Sequence, residues 1–155
     1  MNASGKYALV CIFIVMPAAI CGAQEKKIKR SDLPVPVEKT VEVESRGATI
    51  RGFSKEKQNS ATYYELEMTV NGHERDVLIE QTGAIAEVEE EVAIGALPPA
   101  VRDGLMAKAG KGKIAKVESI TKHDKLVAYE ADVVRAGKKY EVQVGPDGKP
   151  LNHEE

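Results

Sequence analysis

Tyr64–Ala86, YELEMTVNGHERDVLIEQTGAIA, alternates apolar and polar side chains, turns at Asn71-Gly72 and alternates again. Tyr129–Leu151, YEADVVRAGKKYEVQVGPDGKPL, does nearly the same. Successive side chains of an extended chain point to opposite faces, so Tyr64, Leu66, Met68 and Val70 share one face and Glu65, Glu67 and Thr69 the other. In the second stretch Tyr129, Ala131 and Val133 take the apolar face, Glu130 and Asp132 the polar one. Asn71-Gly72 is a strong two-residue hairpin signal because both positions must accept positive φ, and Ala136-Gly137 is a weaker version.

The correspondence extends outward from these hairpins. Leu33-Pro34, Val37 and Ile50 match Leu97-Pro98, Val101 and Ile114 in one register. One inserted residue later, Tyr64-Glu65, Gly72, Gly83 and Glu89-Glu90 match Tyr129-Glu130, Gly137, Gly148 and Glu154-Glu155. An internal repeat is therefore the first organising feature. Each copy opens with a helix signal. Leu97-Pro98-Pro99 leads into AVRDGLMAKAG: the two prolines suit a first helical turn, Leu97, Val101 and Leu105 line one face, and Gly110 suits the C-terminal stop. Gly104 sits inside that helix at a cost of about 1 kcal/mol against alanine. PVPVEKTVEVES is the weaker counterpart, with Val37 and Val41 on a common face; its four valines also allow a strand.

First strands are expected at 48–53 and 113–120, and third strands at 74–80 and 138–144. A short fourth strand is expected at 84–88, with a doubtful one at 149–152. The expectation is an α+β chain of two tandem repeats, 32–95 and 96–155, each a helix packed on an antiparallel sheet of three or four strands. The polar sheet face is left open across both.

The N-terminus reads as an export signal. Lys6 precedes the uncharged apolar run Tyr7–Ile20, too short to span a bilayer, and Cys21-Gly22-Ala23 offers small residues for cleavage after Ala23. The rival reading makes Cys21 an acylated lipoprotein residue, although Ile20 stands where such a site wants Gly, Ala or Ser. From residue 24 onward there is no cysteine. Stability must come from packing, and no thiolate is available. The whole chain has 22 basic and 24 acidic residues. Residues 24–31 form a basic lead-in, read as unstructured, while 32–95 are strongly acidic and 96–155 nearly balanced. Neither half is basic enough for a nucleic-acid footprint.

These residues resemble tandem PepSY-like domains, in the arrangement shared with the β-lactamase-inhibitor-protein fold. The resemblance rests on LPPAV, YEADV, GKKYEVQV and PDGK in the second copy, and on LPVPV, YELEM, NGHERDVLI and TGAIAEVEEEV in the first. It implies an exported or envelope-associated protein, with peptidase inhibition or regulation among the family's roles. It also implies docking of a sheet face onto an enzyme. It carries over no individual contact residue.

No catalytic constellation is present in the sequence. His73, His123 and His153 fall in a hairpin, an expected loop and the tail, without HxH, HExxH or HxxxH spacing. The serines lie outside any nucleophile elbow, and AGKGK at 109–113 is no phosphate cradle. No enzyme, cofactor or metal site is expected. EVEEE at 87–91 could offer carboxylates to a hard cation, but it lacks the pattern of a calcium loop, and the plainer reading is an acidic linker between repeats. The candidate partner-binding residues are Tyr63, Glu65, Glu67, Leu78, Glu130 and Asp132 on the polar sheet face. Tyr63 and Leu78 would supply contact area there, although Leu78 could equally be covered. The expected function is a non-catalytic module binding an envelope or secreted protein, a peptidase included. The alternative is a small-ligand or cation-binding envelope protein using Glu65, Glu67, Glu130 and Asp132.

Overall fold

The computed structural model describes residues 26–58, 60–153 and 155. The expected export signal and its cleavage point lie outside the described residues. In chain order the elements are β1 (Lys26–Lys27), α1 (Val35–Glu44), β2 (Thr49–Gln58), β3 (Ala61–Val70), β4 (His73–Glu80) and β5 (Ile85–Glu91), then α2 (Pro99–Ala109), β6 (Lys113–Lys122), β7 (Lys125–Arg135) and β8 (Lys138–Val144). Short 3-10 turns at Arg30–Asp32 and Ile94–Ala96 precede the two helices.

The eight strands form one antiparallel sheet in sequence order. This overturns the expectation of two tandem repeats, each with a helix on its own sheet: the described residues are mostly β, with one continuous sheet and two helices. The seam is the pairing of β5 with β6, from Glu87 opposite Lys122 to Glu91 opposite Glu118. Without it, β5 would present a row of unpaired N–H and C=O groups beside β4, and the seam satisfies them.

Two further expectations are corrected. The basic lead-in is ordered over its described part: Lys26 and Lys27 pair with Lys55 and Ser54, and the Ile28 N–H donates to the Phe53 carbonyl at 3.0 Å. EVEEE is no linker, since it forms most of β5 and is paired on both sides. The doubtful strand at 149–152 reduces to a single bridge between Val144 and Pro150. His123 lies in a tight β6–β7 turn, where His123 and Asp124 take φ of 46° and 62°, rather than in a longer loop.

Both helices lie on the same face of the sheet. Val37 and Val41 of α1 pack with Phe53, Tyr64, Leu66, Met68, Val77 and Ile79. Leu97, Val101, Leu105 and Ala109 pack with Val117, Ala131, Val133, Val142 and Val144. That the two clusters share a face follows from the register, which sets Val77 opposite Val88 and Val88 opposite Thr121. The hydroxyl of Tyr140 donates to the Ala109 carbonyl at 3.0 Å, which ties β8 to the end of α2.

Gly104, which looked merely unfavourable inside a helix, has a packing reason. A methyl group there would sit 2.1 Å from the Gly148 carbonyl, and one at Gly148 would sit 2.1 Å from the Ala100 carbonyl. Gly148 also has φ of +80°. Glycine at both positions lets the loop after β8 press its backbone against α2.

Candidate functional site

The face opposite the helices is set by the pairing register. Glu65 lies opposite Leu78, Leu78 opposite Glu87, and Glu87 opposite Lys122. One residue pair along, Glu67 is opposite Asp76, Asp76 opposite Glu89, and Glu89 opposite Ile120. Further on, Glu91 is opposite Glu118 and Glu118 opposite Glu130, with Lys116 opposite Asp132. Directly paired residues project to the same side of a sheet. These rows therefore build one acidic surface across β3 to β7.

A recess of about 310 Å³ lies in the middle of this face. Among the described residues its walls carry Glu56, Glu65, Asp76, Glu87, Glu89 and Glu155, with Lys122 the one cation and Leu78 an apolar element. The surrounding cations are already engaged. Arg51 donates to Asp76 at 2.7 Å and to Glu74 at 3.0 Å. Lys116 donates to Glu118 at 2.9 Å and to Glu74 at 3.2 Å. Lys27 pairs with Glu67. The Lys122 ammonium stands 3.9 Å from Glu87 and 3.5 Å from Glu155. Neutral donors reach two more carboxylates: Ser54 donates to Glu65 at 2.7 Å and Gln143 to Glu130 at 2.6 Å.

Crowding like charges in a partly dry recess favours protonation. Glu89 is pushed up to about 8 by burial, reinforced by Glu87, Glu118, Glu130 and Asp76. Burial likewise raises Glu87, with Lys122 opposing, and raises Asp76, with Arg51 opposing. It raises Glu118 against Lys116, and Glu130 against its bond from Gln143. For Lys116, burial works against the ammonium, and the bonds to Glu118 and Glu74 outweigh it, so its proton is held more tightly than usual. Among the described residues, no cation lies within ion-pair distance of Glu89.

Tyr63, Glu65, Glu67 and Leu78 are neighbours on β3 and β4, on the open face, and each is partly buried rather than fully exposed. Leu78 contributes to the recess instead of being sealed away. Glu130 and Asp132 lie on the same face but on β7, with β5 and β6 between them and β4. At the centre of the surface, Asp76 went unread in the sequence, and Glu87 and Glu89 were read only within EVEEE, as linker or cation-binding carboxylates and not as part of this face. The available signal was the alternation Glu87-Val88-Glu89, which continues the period of a strand. Among the described residues, no group of three or more His, Cys, Asp or Glu side chains is arranged to hold a metal ion. No helix among them is long and apolar enough to cross a membrane.

No protein-family model matches the sequence, and no curated protein sequence matches it. Solved structures do. A protein described as periplasmic from Bacteroides eggerthii is 18% identical, with a TM-score of 0.63 over 77% of this chain and 86% of its own. A DUF2874 family protein from Bacteroides ovatus is 18% identical, with a TM-score of 0.60 over 77% and 85%. A BLIP-like protein from Bacteroides fragilis is 20% identical, with a TM-score of 0.58 over 79% and 85%. At such identity the likeness is one of architecture and says nothing about the tandem PepSY assignment. The fold of this chain is BLIP-like.

Proposed function

We propose that this protein is an exported, non-catalytic binding module that docks a protein partner on its open sheet face, in the manner of an inhibitor or regulator of a secreted or envelope enzyme such as a peptidase. The observation that carries this reading is the face itself. Among the described residues both helices and both apolar clusters occupy the other side, so a large, partly buried, charge-dense surface has no covering layer from them. The contact set is Tyr63, Glu65, Glu67, Leu78, Glu130 and Asp132, with Asp76, Glu87 and Glu89 between its two halves. The signal-like N-terminus, with cleavage after Ala23, supports a periplasmic or secreted location, and so does the description of the Bacteroides eggerthii neighbour as periplasmic.

The test is capture. The purified protein is immobilised and challenged with envelope and secreted proteins of the source cell, beside a variant carrying Glu65→Ala, Glu67→Ala, Glu130→Ala and Asp132→Ala. A partner held by the wild type and lost by the variant supports the reading, and enzymatic assays of that partner then measure inhibition. A partner held equally by both contradicts it.

A further inference from the structure

We infer that the open face takes a lysine- or arginine-bearing segment of its partner protein, with one cationic side chain entering the recess between Glu65, Asp76, Glu87 and Glu89. This rests on the protein-docking reading above and names the chemistry of the partner.

No element of the described residues covers this sheet face, and the sign of its charge is one-sided. Among the described residues, six acidic side chains and a single ammonium line the recess. The molecule also displays how a cation sits there, because the Lys122 ammonium stands between Glu87 and Glu155. Lys122 pairs with Glu87 and Glu155, and Glu89 has no cation at ion-pair distance among the described residues. Leu78 offers an apolar contact for the methylene stem that a lysine or arginine lays down behind its charged head. The carboxylates come from three or more strands and are spread along a surface. That spacing suits a forked guanidinium or several cations in an extended segment rather than one metal ion. A protein-sized acidic face also steers a basic partner toward it before contact.

The tail adds a competing element. The Glu155 N–H donates to Gln143 at 2.8 Å, while its carboxylate faces Lys122. An incoming cation competes with Lys122 for Glu87, so removing the Lys122 charge improves binding.

The probe is a fluorescently labelled peptide of about eight arginines, with a glutamate peptide of equal length for comparison, titrated into the purified protein at about 150 mM salt and about pH 9, where Glu89 is ionised and arginine keeps its charge. Three variants accompany the wild type: Glu87→Gln with Glu89→Gln, Lys122→Ala, and a helix-side control of Glu42→Gln with Asp103→Asn. The control removes the same charge from exposed positions on α1 and α2. Circular dichroism confirms folding. The expected result is binding of the arginine peptide only, weakened about tenfold by the recess variant, tightened by Lys122→Ala and left within about twofold by the control. No binding of the arginine peptide, or equal weakening by the recess and control variants, overturns the inference. If the partner captured through the open face proves acidic or neutral there, the inference falls and the docking reading stands. If the captured partner ignores the four-site variant, the docking reading falls whatever the peptide does.

Discussion

Replacing Glu89 by glutamine tests the electrostatics of the recess at its centre. The carboxyl of Glu89 is pushed up to about 8 by burial and by Glu87, Glu118, Glu130 and Asp76, against an ordinary value of 4.5. In the unfolded chain it releases its proton near the ordinary value. Between these limits the folded protein holds more protons than the unfolded one, so stability falls as pH rises and the penalty is complete only above about pH 8. At about 1.4 kcal/mol per pH unit, the full span corresponds to an upper bound of about 5 kcal/mol. Glu89 is only partly buried, so water screening cuts this, and about 2–3 kcal/mol is the working figure. Glu89→Gln keeps the shape and the hydrogen-bonding capacity and carries no charge. The two proteins are compared by urea unfolding, followed by circular dichroism, at about pH 5 and about pH 9. The variant is expected within about 0.5 kcal/mol of the wild type at the lower pH and about 2–3 kcal/mol more stable at the higher one. The other raised carboxyls of the face act in the same direction, so wild-type stability itself declines over this range. A difference that is the same at both pH values, or a wild type that gains stability between them, would refute the reasoning.

Gly148→Ala places a methyl group against the Ala100 carbonyl at a positive φ, and should cost about 3 kcal/mol in thermal unfolding. Gly137→Ala, equally left-handed but with open space around it, should cost only about 1 kcal/mol. Lys116→Ala strips the partially dry Glu118 of its ammonium, with an expected loss of about 2–3 kcal/mol near neutral pH that shrinks as acid protonates Glu118. Because β5 is paired on both sides, its amides at 87–91 should exchange with deuterium as slowly as those of β3; fast exchange there would return this stretch to a linker.

Much of the fold was legible because it is local. Alternation placed β3, β4, β7 and β8, the Asn71-Gly72 and Ala136-Gly137 turns both adopt the positive φ their residues suggested, and Val37, Val41, Val101 and Leu105 are buried as their spacing required. What was not legible is non-local. Nothing within β5 or β6 says that they pair with each other, since alternation specifies a strand and a face but not the neighbour across an open edge. Four glutamates in five residues disguised the later part of β5 as a linker, although a strand was expected at 84–88. Its carboxylates are tolerated because Glu87, Glu89 and Glu91 fall on the uncovered face while Val88 packs beside the α1 cluster. The two-residue β1 is too short to carry a period, and the His123-Asp124 turn lacks glycine.

The composition of the open face was legible by half. Duplication and alternation placed Glu65, Glu67, Glu130 and Asp132 on one face, and the structure sets them there, on either side of a centre the sequence did not reveal. That centre exists only because the seam brings β5 and β6 between the two outer strand groups, so Glu87 and Glu89 meet Asp76 and Lys122.

The most direct test of the docking account is to follow the side-chain carboxyl carbons of the glutamates and aspartates by NMR while the arginine peptide is added. The account predicts that Asp76, Glu87 and Glu89 shift together and saturate with one binding curve, while Glu42 and Asp103 on the helices stay still. Shifts concentrated on the helices, or spread evenly over every carboxylate, would contradict it.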